Sequence, residues 1–158
     1  MSDKIMQEHL KWMKHALKLA ERSRDEGEVP VGAVIIKDNQ LVAEGCNQPI
    51  EKHDASAHAE IIAIRAAGKK LNNYRLPDTT LYVTLEPCTM CAGAIIHARI
   101  ANVVYGAFDP RTGSAGSVVD VFSEPHHNHR VNVQGGVLEE QCGKILRDFF
   151  RERRKTSP

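Results

Sequence analysis

Two short motifs hold the residue types from which a hydrolytic metal site can be built: His58-Ala59-Glu60 and Pro87-Cys88-Thr89-Met90-Cys91. One imidazole and two thiols are a sufficient protein ligand set for a zinc ion that keeps its fourth position for water. That open position separates a catalytic site from a closed structural one. Glu60 is left over, and a carboxylate beside such a water can take its proton and pass it on. The expected roles are therefore metal ligation by His58, Cys88 and Cys91 and proton transfer by Glu60. Two thiolates and a neutral imidazole leave the zinc formally neutral, and water in the open position then ionises near pH ~7. Attack on an amine-bearing carbon, followed by loss of ammonia, is a reaction this set supports without an organic cofactor.

The parts of this signal differ in weight. His-x-Glu occurs often by chance at helix starts. Cys-x-x-Cys has structural zinc and redox dithiols as rivals. Their joint occurrence, in order and each where a strand gives way to a helix, favours catalytic zinc. Among the other histidines, His126 and His127 follow Pro125 in a polar stretch and read as solvated loop residues. His53, in Glu51-Lys52-His53-Asp54, stands close enough to His58 to reach the rim of a site.

The elements that must position these residues follow from apolar spacing. Leu10, Met13, Leu17 and Ala20 predict a helix over about residues 7–26, ended by Gly27 and Pro30. Val31–Ile36 predicts a strand, Lys37–Gln40 a polar turn, and Leu41–Gly45 its hairpin partner. Helical spacing returns over about 58–71. A strand is expected at 80–84, a second short helix at 89–99 and a strand at 103–105. The loop 107–117 follows, then a weaker strand at 131–133 and a final helix over about 138–153. Apolar strands alternating with helices imply an α/β fold, a mixed five-stranded sheet with helices on both faces, in a single domain spanning residues 1–158. Both motifs then fall at helix N-termini, where the peptide dipoles favour thiolate.

Composition limits the alternatives. The formal net charge is +1, and the longest apolar run, Val31–Ile36, is far too short to span a bilayer. The opening Met1-Ser2-Asp3-Lys4 leads into a charged amphipathic segment unlike a signal peptide, so a cytoplasmic protein with reduced thiols and no membrane association is expected. Cys46 and Cys142 lack ligand spacing and read as small apolar residues. Arg147, Arg151, Arg153, Arg154 and Lys155 concentrate positive charge near the C-terminus. Such a patch can meet phosphates or simply solvate a helix end.

Beyond the two motifs, longer segments carry a resemblance. They include Glu28–Ala33, Gly45-Cys46-Asn47, Asp54–Ile64, Asn73–Leu76, Thr80–Ile100, Gly106–Asp109 and Asn128–Val131. From about Trp12 to Arg153 the chain resembles the bacterial tRNA-specific adenosine deaminases of the cytidine-deaminase-like zinc superfamily, whose order of motifs is H-x-E…P-C-x-x-C. The resemblance implies one Zn2+ per subunit, held by His58, Cys88 and Cys91, with Glu60 as proton shuttle. It also implies a homodimer that converts the wobble adenosine of a tRNA anticodon stem-loop to inosine. Asn47 matches a residue that contacts the flipped nucleoside, with an amide able to donate and accept. Asp109 matches a substrate-loop position, and Arg111 stands where lysine is frequent. Asp109 and Asn47 also suit plain turns. Two other readings share these motifs: a zinc deaminase of a free nucleobase or nucleotide, and a non-catalytic RNA-binding module stabilised by zinc. Glu60 has no use in the second.

Overall fold

The structure, a computed structural model, describes residues 2–156. Helix α1 spans Asp3–Asp25 and buries Trp12, Met13, Ala16, Leu19 and Ala20 along one stripe. It starts earlier than its apolar spacing predicts. The reason is capping: Ser2 Oγ accepts the Ile5 N–H at 3.2 Å, so the first two turns form although they bury little. Strands β1 (Gly32–Lys37) and β2 (Gln40–Cys46) form the expected hairpin. Asp38 and Asn39 both take positive φ, 52° and 57°, the backbone of a two-residue primed turn that matches strand twist.

A four-residue helix, α2 (Pro49–Lys52), follows and has no counterpart in the sequence reading, being shorter than one hydrophobic repeat. Then come α3 (Ala59–Leu71), β3 (Thr80–Leu85), α4 (Thr89–His97), β4 (Asn102–Ala107), a 3-10 turn at Val121–Ser123, β5 (Asn132–Gln134) and α5 (Glu139–Thr156). Helix α4 stops short of its predicted end because Arg99 turns into the left-handed region, with φ 62°.

The five strands lie in the order β2-β1-β3-β4-β5. Strand β1 runs antiparallel to β2 and β3, while β3, β4 and β5 are mutually parallel. The sheet is thus mixed, as expected. Helices α1 and α5 pack on one face, α3 and α4 on the other. One apolar cluster joins β1, β3 and β4 to these helices, with Val34, Ile35, Leu81, Val83, Val103 and Ile95 fully buried. No helix among the described residues is long and apolar enough to cross a membrane.

The topology fixes where chemistry can gather. Because β1 is antiparallel to both neighbours, β2 points the same way as β3 and β4. The ends of β2 (Cys46), β3 (Leu85) and β4 (Ala107) therefore share one edge of the sheet. The segments that leave them, 47–58, 86–88 and 108–117, form that edge, the usual place for a ligand in such sheets.

Candidate active site

His58 and Cys88 are the N-cap residues of α3 and α4, both in extended backbone, and neither uses its side chain to cap its helix. They are therefore available to a third party. Cys91 occupies the third position of α4, and an N-cap side chain and the third-position side chain meet across the first turn. This is why Cys-x-x-Cys at a helix start converges. Helix α3 is pressed onto β2 at Gly45, where any Cβ would collide with the backbone of Ala59 and Ala63. The close approach carries His58 and Glu60 to the edge of the sheet.

The three ligand atoms lie within 4.8 Å of one another. Cys88 Sγ and Cys91 Sγ stand 3.6 Å and 3.5 Å from His58 Nδ1. Bond lengths of about 2.3 Å to sulfur and 2.05 Å to nitrogen at tetrahedral angles give an S···N edge of about 3.6 Å. The donor set fits zinc in type and in spacing.

The three donors also share protons among themselves, which a metal would displace on binding. Cys88 is pushed down to about 4, chiefly by the hydrogen bond from the Cys91 thiol and further by His58. Cys91 moves upward, since its proton is held by Cys88 and its sulfur is buried. His58 is raised, first of all by its bond to Cys88. Glu60, only 4 % exposed, is pushed up to about 7, mainly by burial. A carboxyl group that exchanges protons near neutrality is suited to general acid–base work.

The remaining sequence candidates divide. Asn47 is buried, and its Oδ1 accepts the Ala59 N–H at 2.8 Å. One of the two lone pairs of Oδ1 is thus engaged by the first turn of α3. His53 caps α2 in a left-handed conformation, exposed and outside the metal cluster. Asp109 takes the turn role, its carboxylate accepting the N–H groups of Arg111 and Thr112 and the Thr112 hydroxyl. The histidines after Pro125 are not uniformly solvated. His127 and His129 donate to the carbonyls of Val121 and Ile100 at 2.9 Å and 2.7 Å and so pin their loop.

Asp109 and Arg111 line a cleft of about 1090 Å³, floored by Val29, Leu85 and Ala107 and faced by Arg147, Arg151, Arg153 and Arg154 of α5. Phe108 and Phe150 stand half-exposed along it. His58, Glu60, Cys88 and Cys91 do not line it. The cleft runs along the ends of β3 and β4, on the side of the sheet where α5 packs.

Two buried carboxylates have no counterpart in the sequence reading. Glu28 accepts the N–H groups of Ile50 and Glu51 at the start of α2. Glu86 binds the loop after β4. Each is a charged residue at the border of an apolar run, which is the signal that could have found them.

Comparison with known proteins agrees with this geometry. The family model for the cytidine and deoxycytidylate deaminase zinc-binding region matches residues 6–107. A tRNA-specific adenosine deaminase of Haemophilus influenzae is 50% identical over 92% of the chain and 84% of its own length. That of Bacillus subtilis is 46% identical over 91% of the chain and 89% of its own length. A solved structure from studies of A-to-I editing by tRNA:A34 deaminases at the wobble position superposes with a TM-score of 0.84 at 45% identity, covering 86% of the chain and 99% of that structure. A guanine deaminase from Nitrosomonas europaea shares the fold, with a TM-score of 0.73 at 23% identity, 89% of the chain and 83% of that structure being covered.

Proposed function

The chain belongs to the cytidine and deoxycytidylate deaminase family of zinc-binding proteins, in the company of the tRNA-specific adenosine deaminases, and on that premise we propose that it hydrolyses adenosine to inosine at the wobble position of a tRNA anticodon. The observation that carries the reading is the convergence of His58 Nδ1 and the two sulfurs at zinc spacing, with Glu60 buried in the same first turn.

When bound, zinc supplies a Lewis acid that brings the ionisation of water down to pH ~7. Glu60 would take one proton from the attacking water and deliver it to the ring nitrogen beside the amine-bearing carbon as the C–O bond forms, then take the proton of the new hydroxyl and give it to the amine as the C–N bond breaks. The net change is adenosine plus water to inosine plus ammonia. Asn47 Nδ2 donates to the nucleoside and holds it against the first turn of α3. Burial of Glu60 and Asn47 keeps bulk water from competing for these hydrogen bonds.

The base must leave its stack to reach Glu60, and an anticodon loop has already met part of that cost. The cleft at the ends of β3 and β4 suits a single-stranded loop. Phe108 and Phe150 offer faces for bases, and the α5 arginines and Arg111 offer charge to phosphates. This cationic lining favours tRNA over a free base, although the fold also serves guanine deamination. His53, exposed at the end of α2 and five residues before His58, is the proposed contact for a flanking nucleotide. The chain acts as a homodimer of single-domain subunits in the cytoplasm. The family resemblance supports that reading, as do the exposed apolar side chains Met90, Val118 and Val119 on segments next to the site.

The direct test is to incubate zinc-loaded protein with a tRNA carrying adenosine at the wobble position and to analyse its nucleosides. Inosine at that position is expected. Deamination of free adenosine, cytosine or guanine without any of the tRNA would favour a free-base enzyme.

A further inference from the structure

Glu86 lies between the last residue of β3 and Pro87, two residues before the ligand Cys88, and is 2 % exposed. It does not point at the metal cluster. Its Oε1 accepts the Asp109 N–H at 3.0 Å and the Ser117 hydroxyl, and its Oε2 accepts the N–H groups of Ala115 and Ser117 at 2.9 Å and 3.1 Å. Four donors from one loop thus converge on two oxygens, and the group gives nothing back.

The same loop is fastened to the next residues as well. Ser114 N–H donates to the Pro87 carbonyl at 2.9 Å, and the Ser114 and Thr89 hydroxyls are 2.8 Å apart. The loop is closed on itself by the Gly113 N–H to the Asp109 carbonyl. At Gly113 a Cβ would come within 2.5 Å of the Glu86 carboxyl carbon, so the loop presses on this carboxylate too closely for any other residue. The segment that presents Cys88 and the loop that presents Asp109, Arg111 and Thr112 to the cleft are therefore one hydrogen-bonded unit with Glu86 at its centre.

We propose that Glu86 is a positioning residue that sets the substrate loop 109–117 in register with the metal cluster, so that RNA held in the cleft meets the reacting centre. This rests on the tRNA reading above for the identity of the substrate, while the clamp itself rests on the hydrogen bonds alone. Glutamine at position 86 keeps size and shape but turns one acceptor into a donor facing N–H groups. The loop should loosen while the ligands stay in place.

The test compares the full zinc-loaded chain with Glu86→Gln and with the milder Ser117→Ala, which removes a single donor to the clamp. In Glu86→Gln, amide exchange at Asp109, Ala115 and Ser117 should accelerate by at least about tenfold, as expected for lost hydrogen bonds to a charged acceptor. Zinc content and protection in α1 should be unchanged. The KM for tRNA should rise by about ten- to a hundredfold with kcat much less affected, since misplacement costs substrate alignment. Ser117→Ala should move the same quantities in the same direction by less, which keeps the question decidable if Glu86→Gln folds poorly. Unchanged exchange in both variants would overturn the clamp, as would a fall in kcat that tracks zinc loss with KM unaltered. If wild-type protein forms no inosine while exchange behaves as expected, the clamp stands and only the tRNA assignment falls.

Discussion

Asn47 Oδ1 accepts the backbone N–H of Ala59 at 2.8 Å, which ties the end of β2 to the first turn of α3 between His58 and Glu60. One side chain thereby serves two separable ends: its oxygen holds the ligand-bearing turn, and under the proposed function its nitrogen donates to the nucleoside. Asn47→Asp keeps the acceptor and loses the donor, so it should retain zinc and melt near the wild-type temperature. Its kcat/KM should nevertheless fall by about ten- to a hundredfold, the worth of one hydrogen bond in a buried site. Asn47→Ala loses both and should melt lower as well. Calorimetry and inosine formation on the two variants check the separation.

Removal of a zinc ligand should act on fold and metal together. His58→Ala, Cys88→Ala and Cys91→Ala each leave two donors where the geometry offers three. Ligand deprotonation and metal capture contribute to folding stability, so each variant should lose zinc and melt at a lower temperature. Treatment of the wild type with a chelator should lower its melting temperature in the same direction. Elemental analysis showing one zinc per chain in any of the three would remove that residue from the ligand set.

Glu60→Ala should keep zinc and fold, because Glu60 is not needed as a ligand, yet lose at least ~10²-fold in kcat, the low end for general acid–base catalysis. Near-normal turnover in a zinc-loaded variant would assign proton transfer to another group.

Acid sensitivity has one source that lies away from the site. His9 Nδ1 is 2.8 Å from the Tyr82 hydroxyl, and burial lowers the His9 pKa below 6.5, against a smaller opposing effect of Glu8. Above that pH the ring is neutral in both folded and unfolded chains and contributes no pH dependence. Below it the unfolded chain takes the proton first, so stability is lost as the pH falls from 6.5 toward the lower folded value. His9→Asn should flatten the stability profile in that window. Denaturant unfolding at pH 7 and pH 5.5 measures the difference, and parallel profiles would exclude His9 as a source.

Much of this architecture is legible in the residues themselves. The ligands are recoverable because three soft or borderline donors at helix starts have few other uses. The sheet is recoverable because β1, β3 and β4 are buried on both faces and read as largely apolar stretches. Periodicity says nothing of α2 or the turn at Val121–Ser123, which are too short to show a repeat. It also misplaces the start of α1, where Ser2 rather than burial sets the boundary. Which end of the Asn47 amide is committed, and what Glu28 and Glu86 accept, depends on segments far apart in the chain: Glu86 draws its donors from residues 109–117. Local spacing carries no record of such partners.

The α5 arginines differ in what they hold within the fold. Arg153 donates to the Gly27 carbonyl and lies over Phe149, so replacing it would disturb packing as well as charge. Arg147 and Arg151 line the cleft, and their ion pairs with Glu140 and Asp148 lie at exposed positions. Exposed pairs of this kind contribute roughly 0–1 kcal/mol, so both arginines can turn to phosphates at little cost and both can be removed without unfolding the helix. Arg147→Gln with Arg151→Gln should therefore leave the melting temperature close to wild type while weakening tRNA binding. The loss should be similar for every anticodon sequence, because phosphate contacts position the substrate and read no base. The slope of log affinity against log salt should become shallower by roughly 0.7 for each contact removed in single-stranded RNA. Turnover at saturating tRNA should change little, since neither residue stands among the metal ligands or touches Glu60. Binding titrations at several salt concentrations decide it: unchanged affinity and slope in the folded double variant would reduce these arginines to solubilising a helix end and move the phosphate contacts to Arg111, which lines the same cleft.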